Sequence, residues 1–518
     1  MALIDYLDRG TLRNPQGECL VSADGEAMRF AEVRELSCRI ANKLISLGFA
    51  PGEVGSVLAF NDCTAFACTF GLSRAGLAWL PANPRNSEDD SQYLFDFMDC
   101  RVLFFQSGFA PLIRSLKPQL PGVREYVCLD EPLDDMPSLT QWLEGAEATD
   151  PDLPRSPDDV VILFPTGGTT GRSKGVQMTG RVIHNFVAAY CTTMCYDQAE
   201  QPVNMAAAPL THAAGIISYA TMLRGGRTII LPKPDVGLML DIIERQQVTE
   251  FFLPPTVIYR MLEHPDVESR DYRSLKYFVY AAAPMSVEKL KRALSVFGPC
   301  MTQMYGQAEC PALIAFFSPQ EHMPGGQPAP DSRLAACGFP TPFLEVRILD
   351  EDGAEVPAGE KGEICVRGDM VMAGYYKQPD KTAETIVDGW LHTGDIGVQD
   401  ADGWLRIVDR KKDMIITGGL NVYPQEVEQV IWGHAAVEDC AVIGVPHEDW
   451  GEQVVAVVEL APGGSVEADE LITLCKQALG SVKSPKSVEF RSLPRSPNGK
   501  VLKRDLRDEY WAGQDKKI

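Results

Sequence analysis

The stretch from residue 160 to residue 175 constrains this chain most, because an apolar run passes directly into a loop of glycines, threonines and a lysine. The run at residues 160–164 has the length and β-branched content of a buried strand. Glycines after it allow positive φ angles, so several backbone N–H groups can converge on one anion. Threonine hydroxyls and a mobile lysine add donors suited to a polyphosphate. The sequence therefore predicts a phosphate-binding loop, Pro165-Thr166-Gly167-Gly168-Thr169-Thr170-Gly171-Arg172-Ser173-Lys174-Gly175.

A Walker loop is the first alternative for this stretch, and it requires Gly, four residues and then Gly-Lys-Ser/Thr. Counting from Gly167, the second glycine position holds Arg172, and counting from Gly168 it holds Ser173. The spacing therefore disfavours a kinase or a motor ATPase. A solvent-exposed Gly/Thr turn without a ligand is the other alternative.

Length and charge restrict the class of protein. A chain of 518 residues is too long for one ordinary core and suggests roughly three domain-sized units. Its composition, 45% hydrophobic and 23% charged, is that of a globular protein. A net charge of −23 opposes non-specific binding to nucleic acid or to anionic membranes, so we expect neither as a partner and favour small-molecule ligands.

The cysteines and the amino terminus point to an intracellular protein. Fourteen cysteines are scattered without a Cys-x-x-Cys pair, which indicates neither a zinc site nor a disulfide framework. The first residues carry acid where a signal peptide carries base, and no apolar run approaches the roughly twenty residues of a membrane helix. We therefore expect a cytoplasmic protein with reduced thiols.

The remaining chain alternates helical and strand patterns. Such alternation builds parallel sheets covered by helices, whereas the segment from about residue 338 to 408 has strand and turn patterns alone. We expect an α/β protein: a large amino-terminal domain of parallel-type sheets with helices and a small β-barrel-like subdomain, then a small mobile α/β carboxyl-terminal domain. The predicted elements include helices at 30–44, 65–75, 184–190, 236–245, 424–431 and 467–479, strands at 54–60, 228–231, 250–253, 344–350, 362–368, 404–408, 437–445 and 454–460, and a β-turn unit at 277–284.

The order Thr-Gly-Gly-Thr-Thr-Gly-x-x-Lys-Gly resembles the signature loop of the adenylate-forming superfamily, which includes acyl-CoA synthetases, peptide-synthetase adenylation domains and beetle luciferases. Five separated motifs in family order extend the resemblance over nearly the whole chain. It implies a large ATP- and acid-binding domain at residues 1–409, a hinge at 410–412 and a small domain at 413–518 that carries the catalytic lysine. Ser173 departs from the family, where proline is common.

The resemblance implies that Lys174 and the loop from Thr166 to Gly171 hold the outer phosphates of ATP. Met304-Tyr305-Gly306-Gln307-Ala308-Glu309 resembles the family's Tyr-Gly-x-Thr-Glu motif. There Tyr305 offers a flat face for adenine, and Glu309 is a hard oxygen ligand for Mg²⁺. Ala308 lacks the threonine hydroxyl that the family directs at the α-phosphate, and one lost hydrogen bond to a charged group costs about 1.5–3 kcal/mol.

Further matched positions complete the implied nucleotide and CoA sites. Asp395, in Thr-Gly-Asp, resembles the carboxylate that accepts both ribose hydroxyls, although an Asp at a turn is otherwise usually an Asx-turn residue. Arg410 would reach ribose and Lys412 would be the pivot of the small domain, whereas the charge run around them would normally be a solvated face. The remaining positions are Ala282 and Ala283 against adenine, and Gly418 and Gly419 beside the CoA tunnel.

The catalytic lysine and the acid pocket are also assigned by resemblance. Lys500, in an Asn-Gly turn, would bridge the carboxylate and the α-phosphate, although an exposed hairpin tip is the ordinary explanation of such a turn. His212 would guide the carboxylate, although a lone histidine near apolar residues is more often a packing residue. The candidate acid-pocket residues are Ala213, Gly215, Tyr280, Ala281 and Cys310.

The resemblance implies an AMP-forming carboxylic acid:CoA ligase that uses ATP, Mg²⁺ and CoA on an aromatic or medium-to-long-chain acid. Two alternatives stay open. An enzyme that loads a separate carrier protein would share every motif, and the departure at Ala308 favours a nucleotide-binding module without catalysis. The sequence is also compatible with a homodimer.

Overall fold

The computed structural model describes residues 2–166, 172–495 and 501–512. Helices and strands alternate through most of this chain, as the sequence pattern predicts. The helices are α1 (Ile4–Arg13), α2 (Phe30–Ser46), α3 (Cys63–Arg74), α4 (Glu88–Phe97), α5 (Ala110–Leu116), α6 (Leu139–Trp142), α7 (Gly180–Thr193), α8 (Ala213–Leu223), α9 (Val236–Gln246), α10 (Pro255–Leu262), α11 (Val287–Phe297), α12 (Pro319–His322), α13 (Asp331–Leu334), α14 (Pro379–Thr385), α15 (Pro424–Trp432), α16 (Ala468–Leu479) and α17 (Lys503–Trp511).

The strands form four sheets, and their bounds agree closely with most of the predicted strands. They are β1 (Glu18–Ser22), β2 (Ala27–Arg29), β3 (Val54–Leu58), β4 (Ala78–Pro81), β5 (Cys100–Phe105), β6 (Glu125–Cys128), β7 (Val160–Thr166), β8 (Lys174–Thr179), β9 (Val203–Ala206), β10 (Arg227–Ile230), β11 (Glu250–Leu253), β12 (Tyr277–Tyr280), β13 (Met301–Gln307), β14 (Cys310–Phe317), β15 (Phe339–Pro340), β16 (Glu345–Leu349), β17 (Gly362–Arg367), β18 (Ile386–Val387), β19 (Trp390–Gln399), β20 (Leu405–Arg410), β21 (Ile415–Thr417), β22 (Leu420–Val422), β23 (Val437–His447), β24 (Gly451–Leu460) and β25 (Ser487–Phe490).

Two mostly parallel sheets make the large amino-terminal part. One has the order β6-β5-β3-β4-β7-β8, and the other has the order β15-β14-β13-β12-β11-β9-β10-β1-β2. Antiparallel pairs occur at their edges, in β7–β8, β13–β14, β14–β15 and β1–β2. The largest hydrophobic core contains residues of both sheets and of α7 and α8, so these helices hold the two sheets together.

Three of the predicted motifs lie at the ends of strands in the two large sheets. In open α/β sheets ligands bind beyond the carboxyl ends of the strands. The phosphate loop follows β7, the alanine segment at 281–283 follows β12, and Tyr305 lies near the end of β13. The fold therefore places three motifs that are far apart in sequence at corresponding ends of their strands.

The predicted barrel-like subdomain is a five-stranded antiparallel sheet of order β16-β17-β19-β18, in which β20 pairs with β19. A fourth sheet follows near the carboxyl end, with the order β22-β21-β24-β23 and β25 parallel to β24. The division of the chain at residues 410–412 stays a prediction. Among the helices of the described ranges, none combines the length and apolarity needed to cross a bilayer.

Two elements differ in detail from their sequence predictions. Helix α7 begins at Gly180, four residues before the predicted start, because the Thr179 hydroxyl caps it by accepting the Val182 N–H at 3.3 Å. Strand β19 runs through the Thr-Gly-Asp motif that the sequence places at a turn.

Ala282, just beyond β12, has a φ of +72°. This left-handed conformation costs an alanine about 1–2 kcal/mol. We predict that Ala282→Gly leaves the free energy of unfolding unchanged or raises it by up to about 1 kcal/mol, since relief of strain exceeds or offsets the added entropy of the unfolded chain. Chemical denaturation measures the difference.

Ala283→Gly is the matched control, because Ala283 is not among the residues with positive φ. It should lower the free energy of unfolding by about 0.4–1 kcal/mol. An Ala282→Gly variant as unstable as this control would contradict the assignment of strain.

Candidate active site

A buried carboxylate joins three of the predicted nucleotide-site residues. Asp395 in β19 is 2% exposed, and its Oδ2 accepts a hydrogen bond of 2.7 Å from the Tyr305 hydroxyl. Arg410 Nε lies 2.6 Å from Asp395 Oδ1. Burial and the charge of Asp395 raise the pKa of the Tyr305 phenol well above its ordinary value, so Tyr305 stays protonated and donates. The structure therefore brings Tyr305, Asp395 and Arg410 together as one hydrogen-bonded unit.

Strand pairing fixes this unit. Asp395 and Arg410 are direct partners across β19 and β20. Thr393 Oγ1 accepts the Asp395 N–H at 3.1 Å and donates to the Ile364 carbonyl at 2.6 Å. Gly394 has a φ of +71°, and its N–H donates to Glu363 Oε1 at 3.0 Å. These bonds fix the backbone that carries the Asp395 side chain.

A second group of side chains meets at Tyr375, a residue that the sequence analysis did not identify. Its hydroxyl donates to Glu309 Oε1 at 2.7 Å, and Lys174 Nζ lies 4.5 Å from the centre of its ring. A bridge between Val176 and Tyr375 holds this segment against β8. Two predicted phosphate-site residues, Lys174 and Glu309, therefore share one tyrosine. No spacing in the sequence signals this role, because the contact depends on how distant segments pair.

Part of the predicted phosphate site lies outside the described residues. This applies to Gly167, Gly168, Thr169, Thr170 and Gly171, and also to Lys500. On either side of the loop, Thr166 and Lys174 are direct partners in the β7–β8 hairpin. The hairpin therefore places Thr166 and Lys174 next to each other.

His212 packs against the strand that leads into the loop. Its ring makes an edge contact with Phe164, with centroids 5.6 Å apart, and its Nδ1 lies 3.0 Å from Thr211 Oγ1. Burial lowers the pKa of His212 to about 4. The imidazole is therefore neutral near pH 7, able to hydrogen-bond but carrying no charge to pair with a carboxylate.

The predicted acid-pocket residues do not all lie on one side of the sheet. Ala213, Ala281 and Cys310 belong to the core between the two large sheets or pack against it. Tyr280 packs in the core on the opposite face, since successive strand residues point to opposite faces. Its hydroxyl lies 2.8 Å from His322 Nε2. Tyr280 therefore lies on the other face of the sheet from Ala213, Ala281 and Cys310, so we remove it from the predicted acid pocket.

Close packing explains why glycine occupies two of the predicted site positions, 215 and 306. A Cβ on Gly215 would lie 2.0 Å from the Leu210 carbonyl oxygen, and one on Gly306 would lie 2.5 Å from the Ala312 backbone nitrogen. Both distances are below any real Cβ contact. Ala308, next to Gly306 on the β13–β14 hairpin, is partly buried against the main core. These glycines are therefore required by the fold whether or not they also line a ligand site.

The predicted CoA-tunnel and hinge residues lie around the start of the fourth sheet. Gly418 and Gly419 form the β21–β22 turn with φ angles of +56° and +78°. Lys412 lies in a single 3₁₀ turn, Lys411–Asp413. Its carbonyl accepts a hydrogen bond of 3.2 Å from Arg507 of α17. The predicted pivot is thus held by the helix that follows the predicted catalytic loop.

A buried charge cluster lies behind this turn. Lys503 Nζ is 2.6 Å from Glu428 Oε1, and Arg507 pairs with Asp413 at 2.7 Å. Asp409 and Asp413 also face Lys503. Burial, opposed by Lys503, raises the pKa of Glu428 to about 7, and burial likewise raises the pKa of Asp409. Three carboxylates around two cations therefore favour retention of a proton in the cluster.

This proton has a consequence for stability. A Glu428 pKa of about 7 in the folded state, against 4.5 in the unfolded chain, means that the folded state binds more protons between these values. We predict that Glu428 alone lowers the free energy of unfolding by up to about 3 kcal/mol as the pH rises from 4.5 to 7. The difference in free energy of unfolding between Glu428→Gln and the parent protein should therefore change by that amount over this range. Chemical denaturation at a series of pH values measures it.

Glu448→Gln is the control, because Glu448 is exposed on the same part of the chain. It should keep the slope of the parent protein. The same slope in Glu428→Gln and in the parent protein would show that Glu428 is ionised throughout this range.

Comparisons with known proteins extend over nearly the whole chain. Residues 7–376 match the AMP-binding enzyme family, and residues 426–500 match the AMP-binding enzyme C-terminal domain. The medium/long-chain-fatty-acid–CoA ligase FadD8 of Mycobacterium tuberculosis is 42% identical, over 91% of this chain and 84% of that protein. Feruloyl-CoA synthase of an Amycolatopsis species is 35% identical, over 94% of each chain.

Among solved structures, the amide bond synthetase McbA of Marinactinospora thermotolerans matches with a TM-score of 0.88 and 29% identity, covering 98% of this chain and 100% of that chain. The superfamily and the α/β architecture predicted from the motifs are thereby confirmed. The family model spans most of the chain, and a relative above 30% identity spans nearly all of it. This chain therefore belongs to the AMP-binding enzyme family, as an AMP-forming acyl-CoA synthetase.

Proposed function

We propose that this enzyme joins an aromatic or medium-to-long-chain carboxylic acid to CoA through an acyl-adenylate. Fatty-acid and feruloyl ligases among the relatives support these two acid classes. The observation that carries the proposal is the convergence of two groups on the β13–β14 hairpin. In the first group Tyr305 of the hairpin contacts Asp395, which pairs with Arg410. In the second group Glu309 of the hairpin contacts Tyr375, whose ring lies beside Lys174.

The Asp395 group suits the sugar of a nucleotide. A carboxylate has about four acceptor positions, and Tyr305 and Arg410 each approach one oxygen. In the proposed complex the two ribose hydroxyls of the nucleotide donate hydrogen bonds to this carboxylate. Because the carboxylate is held by strand pairing, it would meet the ribose already oriented, which lowers the entropy cost of binding.

The Glu309 group suits the phosphates. Glu309 offers the hard carboxylate oxygen that Mg²⁺ prefers, and Tyr375 orients it through Oε1. A magnesium ion held there would reduce the repulsion between the phosphates and the attacking carboxylate. Lys174 and the loop from Thr166 to Gly171 would hold the outer phosphates.

In the proposed first step the acid carboxylate attacks the α-phosphorus of ATP, and pyrophosphate leaves. Lys500 would stabilise the negative charge that develops at the α-phosphate. His212, being neutral, would position the carboxylate by hydrogen bonding without forming an ion pair that weakens its nucleophilicity. Ala213, Gly215, Ala281 and Cys310 are the proposed pocket for the acid, and Tyr280 is left out because of its position.

In the proposed second step the CoA thiolate attacks the acyl carbonyl and AMP leaves. The small domain, residues 413–518, would rotate about Lys412, withdraw Lys500 and bring Gly418 and Gly419 to the CoA thiol. The single 3₁₀ turn at the pivot supports this proposal, since a short turn can absorb the necessary backbone change.

The acid class is tested by measuring acid-dependent exchange of pyrophosphate into ATP with benzoic, cinnamic-type and straight-chain acids of increasing length. We expect exchange with at least one of the aromatic or medium-to-long-chain acids, and formation of acyl-CoA and AMP when CoA is added. Short acids such as acetate serve as controls.

Exchange without a CoA thioester would contradict CoA as the acceptor and direct the search to a separate carrier protein. Absence of exchange with the entire panel would contradict catalysis and favour a nucleotide-binding module, for which the missing hydroxyl at Ala308 supplies a reason.

The role of Lys500 separates the two steps. We predict that Lys500→Ala lowers adenylate formation by about 10²–10³-fold, the usual effect of removing one donor to a developing charge. Thioester formation from supplied acyl-adenylate should stay near the parent rate. Lys476→Ala, in the exposed last turn of α16, is the control and should change neither step. Equal loss of both steps in Lys500→Ala would contradict domain rotation.

A further inference from the structure

Three potential metal ligands share one face of the five-stranded sheet. Glu363 and Cys365 are alternate residues of β17, so their side chains point to the same side. His392 of β19 is the direct partner of Cys365. The register between Glu363 and Cys365 shifts, which brings the carboxylate toward the same place. The sheet therefore collects a carboxylate, a thiol and an imidazole at one point.

The distances among these atoms suit a tetrahedral metal. His392 Nδ1 lies 3.2 Å from Glu363 Oε2 and 3.4 Å from Cys365 Sγ, and the three ligand atoms all lie within 4.8 Å of one another. Zinc bonds of about 2.0–2.3 Å in tetrahedral geometry require ligand atoms roughly 3.3–3.6 Å apart. Only small side-chain shifts are therefore needed to place a metal between them.

The types of ligand atom in this group indicate which class of metal it would bind. One sulfur, one nitrogen and one oxygen suit borderline-soft ions such as Zn²⁺ and Co²⁺, whereas Mg²⁺ and Ca²⁺ prefer oxygen alone. Cys365 is buried, whereas the His392 side chain is 27% exposed, so the group reaches the protein surface at the imidazole. The Gly394 N–H already holds the other Glu363 oxygen at 3.0 Å, as an outer-shell partner would.

Lys411 would compete with such an ion for the Glu363 carboxylate. Its Nζ lies 3.1 Å from Glu363 Oε2, the oxygen that faces His392. A metal on that oxygen and the Lys411 ammonium would repel each other. The Lys411 side chain is 53% exposed, so it can leave without burying a charge.

We propose that Glu363, Cys365 and His392 form a three-ligand site for a divalent ion of the zinc class, with the fourth position open to solvent and Lys411 competing for the carboxylate. The site is separate from the magnesium position proposed at Glu309, which is built from oxygen donors. Among the described residues it is the one group of three such ligands found within this distance.

Cobalt titration of the intact protein tests the site, because Co²⁺ reports its ligands by absorption. We expect saturable binding of one ion with a near-ultraviolet band from thiolate-to-cobalt charge transfer and visible bands of tetrahedral intensity, both displaced by Zn²⁺. Cys365→Ser should remove the charge-transfer band. Cys195→Ser, which changes the exposed cysteine, is the control and should keep it.

Two further variants test the carboxylate ligand and its competitor. Glu363→Gln should weaken binding by at least about tenfold, since even outer-shell changes cost metal sites about 10–100-fold. Lys411→Met should tighten binding, because it removes the competing charge. Thermal melting of each variant in the presence of a chelator confirms that it is folded.

The proposal is overturned if no saturable cobalt spectrum appears, or if the charge-transfer band survives in Cys365→Ser. It is also overturned if Glu363→Gln and Lys411→Met both bind cobalt with the affinity of the parent protein.

Discussion

The buried carboxylate of Asp395 is the interaction on which the candidate site depends. An ionised carboxylate without partners is very costly to bury. Here Tyr305 and Arg410 satisfy it, and they come from different sheets. The same contacts that remove the cost of burial therefore tie the nine-stranded sheet to the five-stranded sheet. Loss of any member would leave a buried polar group unpaired, which costs more than the hydrogen bond itself contributes.

Both groups of the candidate site are attached to paired strands. Asp395 and Tyr305 lie in buried strands and are fixed by several hydrogen bonds. Lys174 is paired with Thr166 across β7 and β8, and its Nζ lies over the ring of Tyr375. The turn at Lys411–Asp413 is held by Arg507 of α17, so the proposed rotation about Lys412 would have to carry α17 with it.

Local sequence patterns predicted most of the elements. Strand β11 has the predicted bounds, and the two-residue period of β12 explains why Tyr280 lies in a different hydrophobic core from Ala281. Applying that period to the motif at 277–283 would have separated Tyr280 from Ala281. Likewise, Thr179 before Gly180 is a cap signal that would have moved the start of α7.

The remaining contacts could not be predicted, because they depend on how segments far apart in the sequence pack against one another. Tyr375 and Glu309 are 66 positions apart, and Lys503 of α17 and Glu428 of α15 are 75 apart. None of these four residues lies in a strand, so no local periodicity indicates its partner. Family resemblance supplied Asp395 and Arg410 because both lie in motifs, but it gave no account of the residues that hold them.

Glu363 shows how closely these unpredicted residues are connected to the site. One oxygen holds the Gly394 N–H, beside Asp395, and the other holds Lys411, beside the proposed pivot Lys412. The backbone next to Asp395 and the turn at Lys411–Asp413 thus share one carboxylate. A change at either oxygen alters the electrostatic environment of the other, since both belong to one delocalised charge. An ion bound by Glu363, Cys365 and His392 would therefore compete directly with Lys411 for Oε2, whereas the Gly394 N–H binds the other oxygen.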